Sequence, residues 1–236
     1  MKVAILIDGA FYTRRAMLVW GKQNPRDAAT MMIRYCKAHL EQAGEDAKLY
    51  RIFYYDCPPP NLHAVNPISK KPVHMIKTEG AKWRLGFFKE LTKKRKLALR
   101  KGKIDEENPT WKLAPERIKD LFNNKITLDE LDERDVQLDI RQKGVDMRIG
   151  LDIASMCYKK QVDQIILIAG DSDFVPAAKL ARREGVDFIL DPMWMPIKDD
   201  LFEHIDGLHS QIDNPAYASK EEKGRIKSHR KDKPLK

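Results

Sequence analysis

The chain has 236 residues, 42% hydrophobic and 8% aromatic, which is enough for one sizeable α/β domain with additions and too apolar for a disordered protein. No apolar run approaches the roughly 20 residues that cross a bilayer, and the start, MKVAILIDGA, is broken by Asp8 too early for a secretory signal, so the protein is expected in the cytoplasm. The net charge of +9 is uneven: Lys70–Lys103 holds thirteen Lys/Arg against two acids and Lys220–Lys236 eight against three, leaving a net acidic body with two basic appendages.

In chain order, KVAILID is a β-branched and aliphatic run without alternation, which predicts a central parallel strand buried on both faces. Residues 11–20 and 27–43 have helical spacing, the second stopped by Gly44. KLYRIFYYD predicts an aromatic-rich strand ending at Asp56, Cys57 and a Pro run that cannot continue a ladder. From about 57 to 130 the pattern loosens into a basic insertion. Within it, GAKWRLGFFKELTKKRKLALRKGK looks like one basic helix with Trp83, Phe87, Leu91 and Leu97 on its apolar side, and NPTWKLAPERIKDLF like an extended piece and a helix. DVQLDIRQKG alternates as a strand or ribbon does. Regular order then returns with a helix over VDMRIGLDIASMCYKK, a buried strand DQIILIAG, a helix DFVPAAKLARREG and a strand VDFIL, which predicts right-handed parallel crossovers. The expected domain spans 1–213 around that insertion, and 214–236 is expected to be a basic, disordered tail. Cys36, Cys57 and Cys157 fit neither a disulfide framework nor a zinc pattern.

The acids carry the chemistry. Ligands of open parallel sheets sit outside the carboxyl ends of the strands. Asp8 closes the first strand there, and Asp171 and Asp173 follow directly after IILIAG. Asp146 lies in the first turn of its helix, with Ile149, Gly150 and Ile153 three, four and seven residues on, a spacing that places it on the inward stripe. Asp152, roughly 120° away on that helix, is a weaker candidate. Asp163 opens its strand on the opposite edge and is set aside. Asp191, at the end of its strand, either borders the pocket or, being followed by Pro192, is a turn residue, and the turn is the favoured reading.

Each acid has a simpler use as a turn residue, a cap or a dipole-favoured first-turn acid. Capping does not explain four acids on one sheet edge, where without a cation each raises the others' pKa. Carboxylates with no His or Cys nearby point to a hard cation, Mg²⁺ or Mn²⁺, and with basic segments alongside they point to phosphodiester hydrolysis on a nucleic acid.

Three stretches, ILIDGAFY, KGVDMRIGLDIA and LIAGDSDFVPAAKLARREGVDFIL, resemble the NYN domains, a branch of the PIN-like nucleases that includes the LabA-like bacterial proteins. The resemblance implies a three-layer α/β/α sandwich around a mainly parallel sheet, an Mg²⁺ or Mn²⁺ site and ribonuclease activity. It places the family's acids at Asp8, Asp146, Asp171 and Asp173, with Asp152 at a position often acidic. The family's first motif often reads Asp-Gly-x-Asn, and Phe11 stands here in place of that Asn.

Two readings follow. In the first, a metal-dependent endoribonuclease, Lys93, Lys94, Arg95 and Lys96 grip RNA phosphates, and Trp83 either stacks a base or makes a core contact in its own helix. In the second, a binding module has kept the acidic pocket and lost turnover, and it recruits RNA or a protein partner through residues 70–103. A serine hydrolase centred on Ser172 lacks a paired histidine, and an aspartate-nucleophile phosphatase lacks the second acid at Ala10.

Overall fold

A strand in the middle of a parallel sheet must be covered on both faces, and Val3, Ala4, Ile5, Leu6 and Ile7 are all 0% exposed. The computed structural model describes residues 1–104, 109–140, 142–216 and 224–227. Its first part runs β1 (Lys2–Asp8), α1 (Gly9–Trp20), α2 (Pro25–Gln42), β2 (Lys48–Asp56), β3 (His63–Val65), β4 (Pro72–His74), α3 (Glu79–Thr92) and β5 (Leu97–Lys101). Next come β6 (Lys103–Ile104), β7 (Thr110–Leu113), α4 (Pro115–Phe122), β8 (Val136–Asp139) and β9 (Gln142–Lys143). The last part holds α5 (Val145–Tyr158), β10 (Gln164–Ile168), α6 (Val175–Arg183), β11 (Asp187–Asp191), α7 (Asp199–Phe202) and β12 (Gly207–Leu208).

The chain divides into two units. The first takes residues 1–56, 86–101 and 144–236, and the second 57–85 and 102–143. The first holds a six-stranded sheet in the order β12-β11-β10-β1-β2-β5, parallel throughout and flanked by helices, an α/β fold of the PIN-like sandwich type. Every residue of β10 is buried, as its unbroken apolar run requires. Tyr54 on β2 is fully buried beside Phe87 and Phe88, and its hydroxyl donates to the Gly9 carbonyl at 3.2 Å. A Cβ on Gly9 would lie 2.6 Å from that ring, so only glycine lets α1 start this close to β2.

The second unit is built from antiparallel pairs, β3 with β4, β6 with β9 and β7 with β8, together with α4. Polar ties organise it. Asn66 Oδ1 accepts the backbone N–H groups of Ile68 and Ser69 at 2.9 and 3.0 Å, and its amide donates to Glu133 O at 3.1 Å. Asp135 takes Arg117 Nε at 2.8 Å.

The expected insertion therefore divides differently. Residues 86–101 belong to the sheet unit, and the second unit extends to 143. The expected single basic helix ends at Thr92, because Leu97–Lys101 alternates its side chains as the edge strand β5 against Ile52–Asp56. Part of the expected disordered tail is structured. Ile226 bridges Ile212, Lys227 N–H donates to Gln211 O at 2.8 Å, and Trp20 Nε1 donates to Gly224 O at 2.6 Å. Residues 217–223 and 228–236 lie outside the described residues. The three cysteines are buried and free, and among the described residues no helix is long and apolar enough to cross a membrane.

Candidate active site

β1 has β2 on one side and β10 on the other. The chain winds outward to β2 first and returns to β10 later, so the strand order switches between β1 and β10, where a parallel sheet opens a crevice at its carboxyl edge. Asp8 closes β1 at this point, and the Gly170–Asp173 turn leaves β10 beside it. Phe11 fills the space between them. It is 6% exposed, and a Cβ on Gly170 would lie 2.6 Å from its ring. The residue that replaces the family's Asn is thus a packing element that brings β10's exit close to α1.

Asp171 forms the cap expected of it, and Asp8, expected as a turn residue, caps α1. Asp8 Oδ1 accepts Phe11 N–H at 3.1 Å at the start of α1. Asp171 Oδ1 accepts Asp173 N–H at 3.1 Å over the single turn Ser172–Phe174. Asp146 is exposed in the first turn of α5, and the buried stripe of that helix is Val145, Ile149, Ile153 and Met156. The inward placement expected for Asp146 is corrected by one residue, since a step along a helix turns a side chain by about 100°.

Capping leaves the electrostatics unexplained. Burial pushes the Asp8 carboxyl from its ordinary value of 3.8 to about 6, and the Asp146 charge adds to the rise; N–H groups of Phe11 and Ala10 and the Arg14 charge oppose it. Asp146, exposed but with its carboxyl partly shielded from water, is raised by that desolvation and then by the charges of Asp171 and Asp173. The charge of Asp146 thus acts on Asp8, and the charges of Asp171 and Asp173 act on Asp146. An acid raised in the folded state contributes stability that is complete below 3.8 and lost as pH climbs through about 6. In EDTA, Asp8→Asn is expected to stabilise the protein above pH 6 by about 1–2 kcal/mol after solvent screening, with no difference below pH 4. Asn keeps the cap. Urea unfolding of both proteins from pH 4 to 8 measures this, and a difference independent of pH removes the burial account.

Residues 86–194 match an NYN domain. NYN domains are a PIN-like nuclease family, and the matched span holds Asp146, Asp171 and Asp173 while Asp8 precedes it. No curated protein matches the sequence.

Other residues separate by sheet edge. Asp152 is engaged by Tyr55 Oη at 2.8 Å and Arg100 Nε at 3.0 Å, and Arg100 also lies over the Phe53 ring at 5.3 Å. Asp163 accepts Lys2 N–H at 2.5 Å at the amino edge. The Lys93–Lys96 run is the turn that enters β5, so it too lies at the amino edge, away from Asp8. Lys93 pairs with Glu90 at 2.5 Å, Lys94 reaches Thr30 Oγ1 at 3.5 Å, and Lys96 donates to Leu49 O. RNA held at the carboxylates would run roughly 20 Å along the strands to meet this turn. Arg95 is part of the same turn, and Trp83 is half-buried on α3 in the second unit.

Two features escaped the sequence. Lys198 Nζ donates to Ser172 Oγ at 3.1 Å, inside the acidic turn. Asp191 is fully buried, where a turn residue was expected, and it holds four partners. Neither has a local motif: the lysine arrives from 26 residues away and the aspartate's partners lie on distant segments.

The donor set suits a hard divalent cation, being carboxylate throughout and strained by its own repulsion. Among the described residues no three His, Cys, Asp or Glu side chains gather closely enough to hold one ion directly. Mg²⁺ keeps several waters and is commonly bound through one or two carboxylates, so an ion here would be held by one or two of these acids and by water.

Proposed function

We propose that the protein is a metal-dependent ribonuclease that hydrolyses phosphodiester bonds within RNA, with Asp8, Asp146, Asp171 and Asp173 as its carboxylates and Mg²⁺ or Mn²⁺ as its cofactor. The observation that carries this reading is the coupling of Asp146 to Asp8, Asp171 and Asp173 at the switch point of an NYN-domain sheet. When bound, the ion supplies a Lewis acid for an attacking water and for the phosphoryl oxygens. Asp8 and Asp171 each have one oxygen pinned by a backbone N–H at 3.1 Å, which sets the plane of the carboxylate, and we assign these two to direct ligation. Asp146 and Asp173, exposed like Asp171 but with no capping bond of their own, are assigned to holding water around the ion. Asp152, neutralised by Arg100, is left out of the ligand set.

The binding-module reading has one observation in its favour, the buried Phe11 where the family often has Asn. Labelled single-stranded and hairpin RNAs incubated with Mg²⁺, Mn²⁺ or EDTA separate the two. Cleavage with metal and none with EDTA supports the nuclease. No cleavage, with RNA bound and the protein stabilised by Mn²⁺, gives the module. Neither cleavage nor stabilisation overturns the metal site. The rise in Tm with Mn²⁺ is expected to be larger at pH 7.5 than at pH 5, because Asp8 must give up its proton to take the ion.

A further inference from the structure

A cation stands on the acidic turn. Lys198 Nζ reaches Ser172 Oγ, the hydroxyl between Asp171 and Asp173, at 3.1 Å. Lys198 is exposed, and among the described residues its ammonium bonds this neutral oxygen and makes no ion pair with a carboxylate. An ammonium has three donors, so two remain for a ligand.

The segment that brings Lys198 there is strained and tightly tied. Met193 and Trp194 are consecutive non-glycine residues in the left-handed region, at φ 45 and 63°. Such conformations cost about 1–3 kcal/mol each and persist only where the surroundings over-determine them, often at functional sites. The ties are plain. Met193 N–H donates to Asp191 Oδ1 at 2.7 Å, and Arg15 donates to Met193 O at 2.6 Å. Trp194 Nε1 donates to Ile212 O at 2.8 Å and Trp194 N–H to Ser210 Oγ at 3.3 Å. The loop leaves β11 at the carboxyl edge, beside the exit of β10 that bears the acids.

We propose that Lys198 binds a non-bridging phosphate oxygen of single-stranded RNA lying over the Asp171–Asp173 turn, and that the tied loop 192–198 exists to hold it there. The inference rests on the ribonuclease reading. A lysine serves as a compact point charge for phosphate, and here it sits beside the carboxylates assigned to the metal. RNA bound at this edge also meets the charge of Arg14, which acts on Asp8.

The test compares wild type, Lys198→Gln and Lys198→Arg in saturating Mn²⁺ across a salt series. Single-turnover cleavage and the binding of a labelled single-stranded RNA are both measured. Lys198→Gln is expected to lower kcat/KM about 10- to 100-fold and to flatten its log–log salt slope by about 0.7, the value of one phosphate contact on a single strand. Its Tm should stay that of wild type, and Lys198→Arg should regain the slope. Wild-type rate and slope in Lys198→Gln overturn the proposal. So does a variant that binds Mn²⁺ more tightly with an unchanged RNA slope, which makes Lys198 a counter-ion for the acids. If wild type binds RNA without cleaving it, the nuclease reading falls and the binding slope of Lys198→Gln still decides the contact. If wild type neither cleaves nor binds RNA, both fall.

Discussion

Replacing Asp171 and Asp173 together by Asn is expected to lower Mn²⁺-dependent cleavage by about 10³-fold or more without lowering stability in EDTA. Loss of even an outer partner of a metal ligand typically costs about 10- to 100-fold, and here a proposed ligand and a proposed water-holder go together. The fold should be indifferent or gain. Asn accepts the Asp173 N–H that Asp171 Oδ1 now takes, since Asn and Asp cap about equally well. The two charges that raise Asp146 disappear, so its anion is relieved and the metal-free protein becomes slightly more stable at neutral pH. The Mn²⁺-induced rise in Tm should vanish with the activity. This opposite movement of activity and stability separates a metal site from a pair of helix caps. Caps alone predict an unchanged Tm, in EDTA and in Mn²⁺ alike, and retained cleavage. Cleavage above a tenth of wild type, or a Tm in EDTA several degrees lower, returns the two aspartates to a structural role.

The regular part of the fold was legible because its signals are local. KVAILI and QIILI are apolar without alternation, and only a doubly covered parallel strand accepts that composition. The order of strands and helices then placed Asp8 and Asp171 at carboxyl ends before any contact was known. Local pattern failed where tertiary pairing outweighed it. Leu97, Ala98 and Leu99 extend the spacing of α3, yet the edge of β2 offers a row of unpaired groups, and the chain turns at Lys96, a left-handed residue, to fill it. The same turn carries the basic run to the amino edge. Charge counts along a sequence say nothing about which end of a sheet a lysine reaches, so Lys93–Lys96 looked like neighbours of the acids and Lys198 did not. Asp191 was misjudged because an Asp-Pro pair at a strand end has the form of a turn whether or not the carboxylate is buried.

That carboxylate gives the largest stability effect expected in the chain. Asp191 is 0% exposed, and both of its oxygens are saturated. Tyr35 Oη at 2.5 Å and His39 Nε2 at 2.7 Å lie on Oδ2; Met193 N–H at 2.7 Å and Ser210 Oγ at 2.7 Å lie on Oδ1. Asp191→Ala strands four polar groups among buried neighbours, two of them on Tyr35 and His39, which are 0 and 2% exposed. An unsatisfied buried group costs about 1–3 kcal/mol, and several are created at once. A loss of about 4 kcal/mol or more is expected, a large share of the roughly 5–15 kcal/mol that holds a domain folded. Asp191→Asn should cost less. Its amide nitrogen can face His39 Nε2, which accepts in one tautomer, or Ser210, whose hydroxyl can turn to accept. Urea unfolding of wild type and both variants gives the order Ala below Asn below wild type, and a loss under 1 kcal/mol for Ala would show that the network is solvated. The Asn variant then carries a second consequence. Met193 N–H is one of the ties that hold the loop bearing Lys198, so a folded Asp191→Asn protein should also lose part of its RNA affinity, with the salt slope shifted in the direction expected for Lys198→Gln. Stability lost with the slope intact would confine Asp191 to the core. Both lost together would make the buried carboxylate the anchor of the phosphate contact.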